Sequence, residues 1–151
     1  MVLLKANSGT TTAAGAENVD TFAVTGLTAK DTIKIFGSVE AVTQAVSTIQ
    51  IYNNTDAVQI TPINDQSGSG DYAAGREGTF EATIRQFQSS ATLVGGRCDL
   101  QNDNNTRNAL GGNAAFATAW TGAWTLAFRH SGVVGGGTLK WAWAVYKIAG
   151  Q

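Results

Sequence analysis

Hydrophobic and polar residues alternate with a period of two at several places along the 151-residue chain, and no segment shows helical periodicity. The alternation is clearest in segments 120–129 and 139–146, where bulky apolar residues share one face. Both segments are therefore predicted to be strands. The glycine-rich stretch 130–137 between them predicts that they form a long antiparallel hairpin.

Shorter alternating segments predict further strands upstream. Residues 19–25 and 31–39 each have the pattern of a single strand. Residues 49–60 predict a hairpin with its turn at 53–56, because Asn and Asp tolerate left-handed backbone conformations. Residues 79–87 and 91–100 predict another hairpin, and the Gly- and Asn-rich segments 64–78 and 101–115 predict loops.

About eight antiparallel strands predict an all-β fold: a single β-sandwich or jelly-roll-like domain spanning residues 19–151. Residues 1–18 are small and polar with little pattern, so they are predicted to form an extended N-terminal arm. Val2, Leu3 and Leu4 are apolar and are predicted to order on a partner. A frayed terminus and a first strand of the same sandwich are the alternatives for this segment.

The tryptophans raise the question of whether their rings bind a ligand or form the core. They share strand faces with aliphatic residues, whereas a stacking platform exposes its rings among polar neighbours. This favours one hydrophobic core, containing Trp124, Leu126, Phe128, Trp141, Trp143 and Val145.

Composition excludes several classes of function. Charged residues make up 14% of the chain, below the roughly 25% typical of soluble domains. The net charge is −1 and Lys and Arg do not cluster, so nucleic acid is not an expected partner. No apolar run is long enough to span a membrane. One His and one Cys do not make a conventional zinc site, and no phosphate-binding loop occurs, so no cofactor is expected.

Few residues are candidates for catalysis, and a non-enzymatic protein is predicted. His130 adjoins a glycine-rich turn and is interpreted as a surface or rim histidine. Glu40 and Glu81 could act as paired carboxylates, but their spacing does not show that they face each other. Cys98 is interpreted as a small buried hydrophobe. The acidic and amide residues of 99–105 match a calcium loop only loosely and are interpreted as a polar turn.

Tyr52 and Tyr72 lie on predicted turns near Asn and Asp residues. Exposed aromatic rings in such surroundings are candidates for carbohydrate contacts. With Val2, Leu3 and Leu4, they complete the predicted partner-binding residues.

A low-charge all-β chain rich in Gly, Ala, Thr and Asn, closing with the strand 138–148, resembles small virion proteins of tailed bacteriophages, in particular capsid decoration (cement) proteins. The resemblance implies a non-enzymatic trimer on the capsid exterior that binds the major capsid protein. It carries over no site residue.

Two alternatives to the decoration protein are retained. One is a phage tail-fibre or receptor-binding head domain that recognises host surface glycans through Tyr52 and Tyr72. The other is a standalone carbohydrate-binding or hydrolytic β-sandwich. The lack of coiled-coil heptads before the domain favours the decoration protein.

Overall fold

The structure is a computed structural model. It describes residues 1–12, 17–41, 45–46, 49–62, 71–72, 77–87, 90–102, 107–130 and 138–150. The strands in these ranges are β1 (Val2–Thr11), β2 (Glu17–Val24), β3 (Thr32–Ala41), β4 (Ala45–Val46), β5 (Ile49–Asn53), β6 (Val58–Pro62), β7 (Asp71–Tyr72), β8 (Glu77–Gln86), β9 (Leu93–Asn102), β10 (Arg107–Ala115), β11 (Trp124–His130) and β12 (Leu139–Ile148).

Two antiparallel sheets pack face to face. The larger has six strands in the order β1-β12-β3-β8-β9-β10, and the smaller has four in the order β2-β11-β5-β6. Strands β4 and β7 form a separate short pair. The predicted all-β sandwich with jelly-roll-like architecture is therefore confirmed.

Local patterns predicted two hairpins correctly, whereas the predicted loop over residues 101–115 is wrong, because Arg107–Ala115 form β10 paired with β9. The hairpin formed by β5 and β6 turns at 54–57, and Asn53 accepts a hydrogen bond from the Asp56 N–H through its side chain (3.2 Å). Strands β8 and β9 form the second predicted hairpin. Strands β2 and β3 match the predicted segments 19–25 and 31–39 to within a few residues.

The predicted hairpin between segments 120–129 and 139–146 is wrong. Strand β11 lies in the four-stranded sheet between β2 and β5, and β12 lies in the six-stranded sheet between β1 and β3. Their apolar faces oppose each other across the core. Alternation predicts which face of a strand is buried, but it does not say whether two apolar faces lie side by side or opposite each other.

The predicted arm over residues 1–18 also requires correction. Residues Val2–Thr11 form β1, which pairs with β12 along its whole length, and β2 begins at Glu17. The alternative of a first strand of the sandwich describes this segment correctly. Its polar inward side chains find polar partners on β2 and β11, so it needs little apolar burial to be ordered.

The predicted aromatic core is confirmed. Phe128 of β11 contacts three rings of the opposite sheet, with centroids 5.8 Å from Phe80, 5.8 Å from Trp141 and 5.6 Å from Trp143. Trp143 is 2% exposed and Trp120 is fully buried, and the Trp120 Nε1–H donates to the Thr28 carbonyl (3.1 Å). Buried indole N–H groups with acceptors are typical of core tryptophans.

Candidate functional site

Glycines shape one end of the six-stranded sheet, at β9 and β10. Gly96 and Gly112 face inward, towards β6 of the opposite sheet. A Cβ atom at Gly112 would lie 2.3 Å from the Ile60 carbonyl oxygen, and one at Gly96 would lie 2.9 Å from Ile60 Cγ2. Both glycines are therefore required for the close approach of the β6 backbone, which closes this side of the sandwich.

The outer face of the same strands carries a cleft of about 610 Å³. Alternation places the neighbours of the inward glycines on this face, at residues 95, 97, 111 and 113. Outward residues of β8 and the residue that follows β8 supply the other wall. The cleft is lined in part by Thr83, Arg85, Phe87, Arg97, Gly111 and Asn113.

Two outward glycines have different surroundings within the cleft. A Cβ atom at Gly95 would lie 2.6 Å from Cζ of Phe87, so the Phe87 ring lies directly on the backbone of β9. A Cβ atom at Gly111 would meet nothing within 4 Å. Gly111 also shows no positive φ. Gly95 is thus required for packing, whereas Gly111 is an open part of the cleft floor.

The backbone of Phe87 holds the ring in place. Its N–H donates to the Leu93 carbonyl (2.8 Å), and its carbonyl accepts from the Ser90 N–H (3.1 Å). These bonds close the β8–β9 turn, so the ring is attached to a hydrogen-bonded part of the chain. The cleft therefore has a positioned apolar wall.

The cleft also carries two guanidinium groups. Arg85 lies opposite Gly95, and Arg97 lies opposite Thr83, so the two arginines are diagonal neighbours on one face. Diagonal side chains of this kind begin about 7–8 Å apart. Arg97 pairs with Asp99 (Nη2 to Oδ1, 3.2 Å). Arg85 is exposed and has no ion-pair or hydrogen-bond partner among the residues that the structure describes.

A second cleft of about 470 Å³ adjoins the first, and the two share Arg85 and Phe87 in their linings. Lys30 and Asp31 line the second cleft. The Asp31 carboxylate is buried and accepts from the backbone N–H groups of Thr28 (2.8 Å) and Gly150 (3.1 Å). The bond from Thr28 is the largest of the effects that keep the pKa of Asp31 below its usual range.

A buried polar cluster lies on the opposite side of the sandwich, between β1, β2 and β11. His130 is 1% exposed, so its interpretation as a rim histidine is wrong. Its Nε2 lies 3.2 Å from the Glu17 carboxylate and 3.5 Å from the Thr11 hydroxyl, and that hydroxyl donates to Glu17. Continuing the alternation of β11 from Phe128 would have placed His130 on the buried face.

This cluster does not have the geometry of a nucleophile–base–carboxylate triad. Such a triad uses both ring nitrogens, one facing the nucleophile and the other facing the orienting carboxylate. Here Thr11 and Glu17 approach the same nitrogen, Nε2. The hydrogen bond from Thr11 has the largest effect on the pKa of Glu17, and together with the one from His130 it keeps that pKa below its usual range. The contacts of the cluster join the three strands β1, β2 and β11.

The predicted partner-binding residues of β1 lie at the edge of the six-stranded sheet. Val2 is 58% exposed, Leu3 is 54% exposed, and Leu4 is half-buried against the core. Leu3 lies opposite Tyr146, whose ring makes an edge-on contact with Phe36 (centroids 5.8 Å apart). Leu3, Tyr146 and Phe36 form an apolar patch on the outer face of this sheet.

The two predicted tyrosines are placed differently from the expectation of exposed turns. Tyr52 lies within β5, half-buried, with the Arg129 guanidinium 4.6 Å from its ring centroid. Tyr72 lies in β7, opposite Ala45 of β4, and its side chain is outside the described part of the chain. The structure does not bring Tyr52 and Leu3 together, because they belong to different sheets.

The candidate catalytic carboxylates are both ion-paired. Glu40 pairs with Lys140 (3.1 Å), and Glu81 pairs with Lys34. Glu40 lies opposite Glu77, four residues along β8 from Glu81, so the two candidates do not face each other across the ladder. Each therefore belongs to a surface ion pair.

The remaining sequence candidates lie in or next to β9. Cys98 is opposite Leu110 in the β9–β10 ladder, and its side chain is outside the described part. Asp99 is also in β9, so it is not in a turn, and residues 103 and 105 lie outside the described ranges. In the described ranges, no group of three or more His, Cys, Asp or Glu side chains is placed to hold a metal ion. Those ranges also contain no helix long and apolar enough to cross a membrane.

The solved structures to which this chain is similar include two lectins and an alginate lyase. Lectin I-B4 from Griffonia simplicifolia, in its metal-free form, is 8% identical with a TM-score of 0.48, covering 85% of this chain and 78% of the lectin. The marine PL-14 alginate lyase from Aplysia kurodai is 6% identical with a TM-score of 0.47, covering 81% and 72%. The Lotus tetragonolobus seed lectin is 9% identical with a TM-score of 0.44, covering 80% and 74%. No family model and no curated protein matches the sequence.

Proposed function

We propose that this protein is a non-enzymatic carbohydrate-binding β-sandwich whose glycan lies in the cleft over β8, β9 and β10. The observation that carries the proposal is the lining of that cleft. It combines an anchored ring, Phe87, with the hydrogen-bonding side chains of Thr83 and Asn113. A few polar groups that converge on a concave, partly apolar surface are typical of small-molecule sites.

The chemistry of a sugar fits this combination. A pyranose has C–H faces that pack on an aromatic ring and hydroxyl groups that both donate and accept hydrogen bonds. The Asn113 amide offers two donors and an acceptor, and the Thr83 hydroxyl offers a donor and an acceptor. The open floor at Gly111 lets a ring approach the backbone of β10 without a steric obstacle.

Isothermal titration calorimetry against a panel of neutral and acidic oligosaccharides tests this proposal. We expect binding to at least one glycan, and we expect Gly111→Leu to abolish it, because the new side chain fills the cleft floor. Ala23→Leu is the matched control, since Ala23 is exposed on the outer face of the four-stranded sheet. Failure of every glycan to bind, or full binding by a folded Gly111→Leu variant, would contradict the proposal.

A second proposed function is the virion role: a trimeric decoration protein on the capsid exterior, bound to the major capsid protein. The supporting observation is the apolar patch. Two of its members, Leu3 and Phe36, are exposed large apolar residues in the part of the chain that the structure describes (54% and 37% exposed). Exposed apolar groups gathered in one area are characteristic of protein–protein contacts.

Mass spectrometry of purified phage particles tests the virion role. A copy number comparable with that of the major capsid protein supports decoration, whereas a few copies per particle indicate a tail fibre. We expect Leu3→Ser to weaken particle binding while the melting temperature changes little, because Leu3 is more than half exposed. Absence from particles would exclude both virion roles.

A further inference from the structure

We propose that the cleft is specific for an acidic glycan, and that Arg85 binds the negatively charged group of the sugar. This inference rests on the proposed carbohydrate function and adds the chemical class of the ligand. Its basis is the contrast between Arg85 and the other charges on the outer face of the six-stranded sheet.

The other cations described on this face each have a carboxylate partner. Lys34 pairs with Glu81, Lys140 pairs with Glu40, and Arg97 pairs with Asp99. Arg85 has no such partner among the described residues, and it lines both of the adjoining clefts. A guanidinium that lines both clefts and has no carboxylate partner among the described residues is suited to bind an anionic group of a ligand.

The guanidinium geometry favours a carboxylate or sulfate over a hydroxyl group. Its planar set of donors forms two parallel hydrogen bonds with two oxygens of one anionic group. Arg97, one diagonal step away, is paired with Asp99, so Arg85 is the arginine available to the ligand's anionic group. Phe87 lines the cleft together with Arg85, so the sugar unit whose charged group binds Arg85 can pack its ring on the Phe87 ring.

The shared lining of the two clefts also indicates a polymer. A ligand that extends from the first cleft of about 610 Å³ into the second of about 470 Å³ passes over Arg85 and Phe87. Lys30 also lines the second cleft. An acidic oligosaccharide of several units matches this length and sign of charge better than a single sugar.

The test compares ligands that differ only in charge. Oligogalacturonate, its fully methyl-esterified form and a sulfated oligosaccharide of equal length are titrated into the protein by calorimetry. We expect the esterified form to bind roughly 10- to 100-fold more weakly than the acid, the range for one charge-assisted hydrogen-bonding group. The sulfated arm distinguishes sulfate from carboxylate as the preferred anion, and tighter binding of either over the ester supports the inference.

Arg85→Gln removes the charge and keeps a polar side chain. We expect this variant to bind acidic ligands roughly 10- to 100-fold more weakly, and its affinity for the esterified ligand to stay unchanged. Arg129→Gln is the matched control, because Arg129 lies on the four-stranded sheet over Tyr52. Arg97→Gln is expected to have a smaller effect than Arg85→Gln, since Arg97 already has a carboxylate partner.

Different results contradict the inference and the proposed function. If acid and ester bind equally and Arg85→Gln changes neither, the acidic specificity is wrong while carbohydrate binding stands. If no glycan binds, the proposed function itself fails. Equal binding of polyglutamate and oligogalacturonate would show charge capture without sugar recognition and would overturn the inference.

Discussion

The two long sides of the sandwich are closed by different means. On one side, β1 and β2 are joined by charged and hydrogen-bonding groups: Lys5 donates to the Asp20 carboxylate (2.6 Å), and so does the Trp143 indole (2.6 Å). On the other side, β6 packs on β9 and β10 because Gly96 and Gly112 have no side chains. The first closure depends on protonation, and the second depends on steric space.

The polar closure also protects an edge of the sheet. Among the strands that the structure describes, β1 pairs with β12 alone in its sheet, and its register shifts between Leu3 and Lys5. Lys5 lies beyond this irregularity with its charge directed to Asp20. A bulge and an inward-pointing charge both discourage pairing with another chain along an open edge. On the glycine side, inward Gly112 lets β6 pack closely, and its neighbour Gly111 faces outward and leaves the floor of the outer cleft open.

The largest expected effect is on the polar side, from Trp143→Ala. The indole is 2% exposed, packs against Phe128 and donates to Asp20, so its removal leaves a cavity and takes one of the hydrogen bonds from the Asp20 carboxylate. We expect the free energy of unfolding to fall by roughly 3–5 kcal/mol. Urea denaturation followed by circular dichroism measures this loss.

Trp143→Phe separates packing from hydrogen bonding. It keeps an aromatic ring in the core and removes only the indole donor to Asp20. Its loss of stability should therefore be clearly smaller than that of Trp143→Ala. Equal losses would show that the hydrogen bond dominates, and no loss from either variant would refute the placement of this ring in the core.

The next effect is on the steric side, from Gly112→Ala. The added methyl group would lie 2.3 Å from the Ile60 carbonyl oxygen, a backbone atom that cannot rotate away. We expect a destabilisation of about 1–3 kcal/mol, the usual cost of overpacking. The same denaturation experiment measures it, and an unchanged midpoint would mean that β6 does not pack on β10 as described.

Sequence reasoning missed one strand on each side of the sandwich, β1 on the polar side and β10 on the steric side. Strong alternation identified the core tryptophans and the hairpins of β5–β6 and β8–β9, because local period and turn residues encode them. Residues 107–115 were predicted to be a loop but form β10. Glycine and asparagine have low strand propensity, and the need for glycine at position 112 comes from contact with Ile60, which is distant in sequence.

The candidate cleft could not be predicted for the same reason. Arg85 and Arg97 lie in different strands, and Gly111 lies in the strand that was missed. Their proximity depends on register across three strands, which a single sequence does not provide. Tyr52 was selected as an exposed ring, yet it stacks with Arg129, since a cation on the neighbouring strand can cover an aromatic face.

Acidification should lower the stability of the fold by a smaller amount, and the loss should be concentrated in the contacts between β1 and β2. Burial by itself raises the pKa of Asp20, but hydrogen bonds from Lys5 and Trp143 outweigh it and keep that pKa below its usual value. The pKa of Glu17 is lowered as well. Lowered folded-state pKa values give stability that is present above about pH 4.3 and is lost as the pH falls further.

Hydrogen exchange at pH 7 and pH 3 tests where this loss falls. After correction for intrinsic rates, amides of β1 and β2 should lose protection at pH 3 before those of β6 and β10. Asp20→Asn is the control, because its side chain cannot titrate, and it should reduce the difference in stability between the two pH values. Uniform loss of protection on both sides would refute a closure that depends on protonation at β1 and β2 alone.

The smallest expected effect on stability is that of Gly111→Ala, which sharpens the contrast with Gly112→Ala one residue away. A Cβ atom at Gly111 meets nothing within 4 Å, and its φ is not positive, so alanine fits the native backbone. Replacing glycine at such a position stabilises a protein by about 0.4–1 kcal/mol, because the unfolded chain loses freedom. We therefore expect a slightly higher denaturation midpoint for Gly111→Ala and a lower one for Gly112→Ala. This pair of results would show that, of these two glycines, the fold requires only Gly112, which leaves the open floor of the cleft as the role of Gly111. Destabilisation by both substitutions would contradict that role, because both glycines would then be needed for packing.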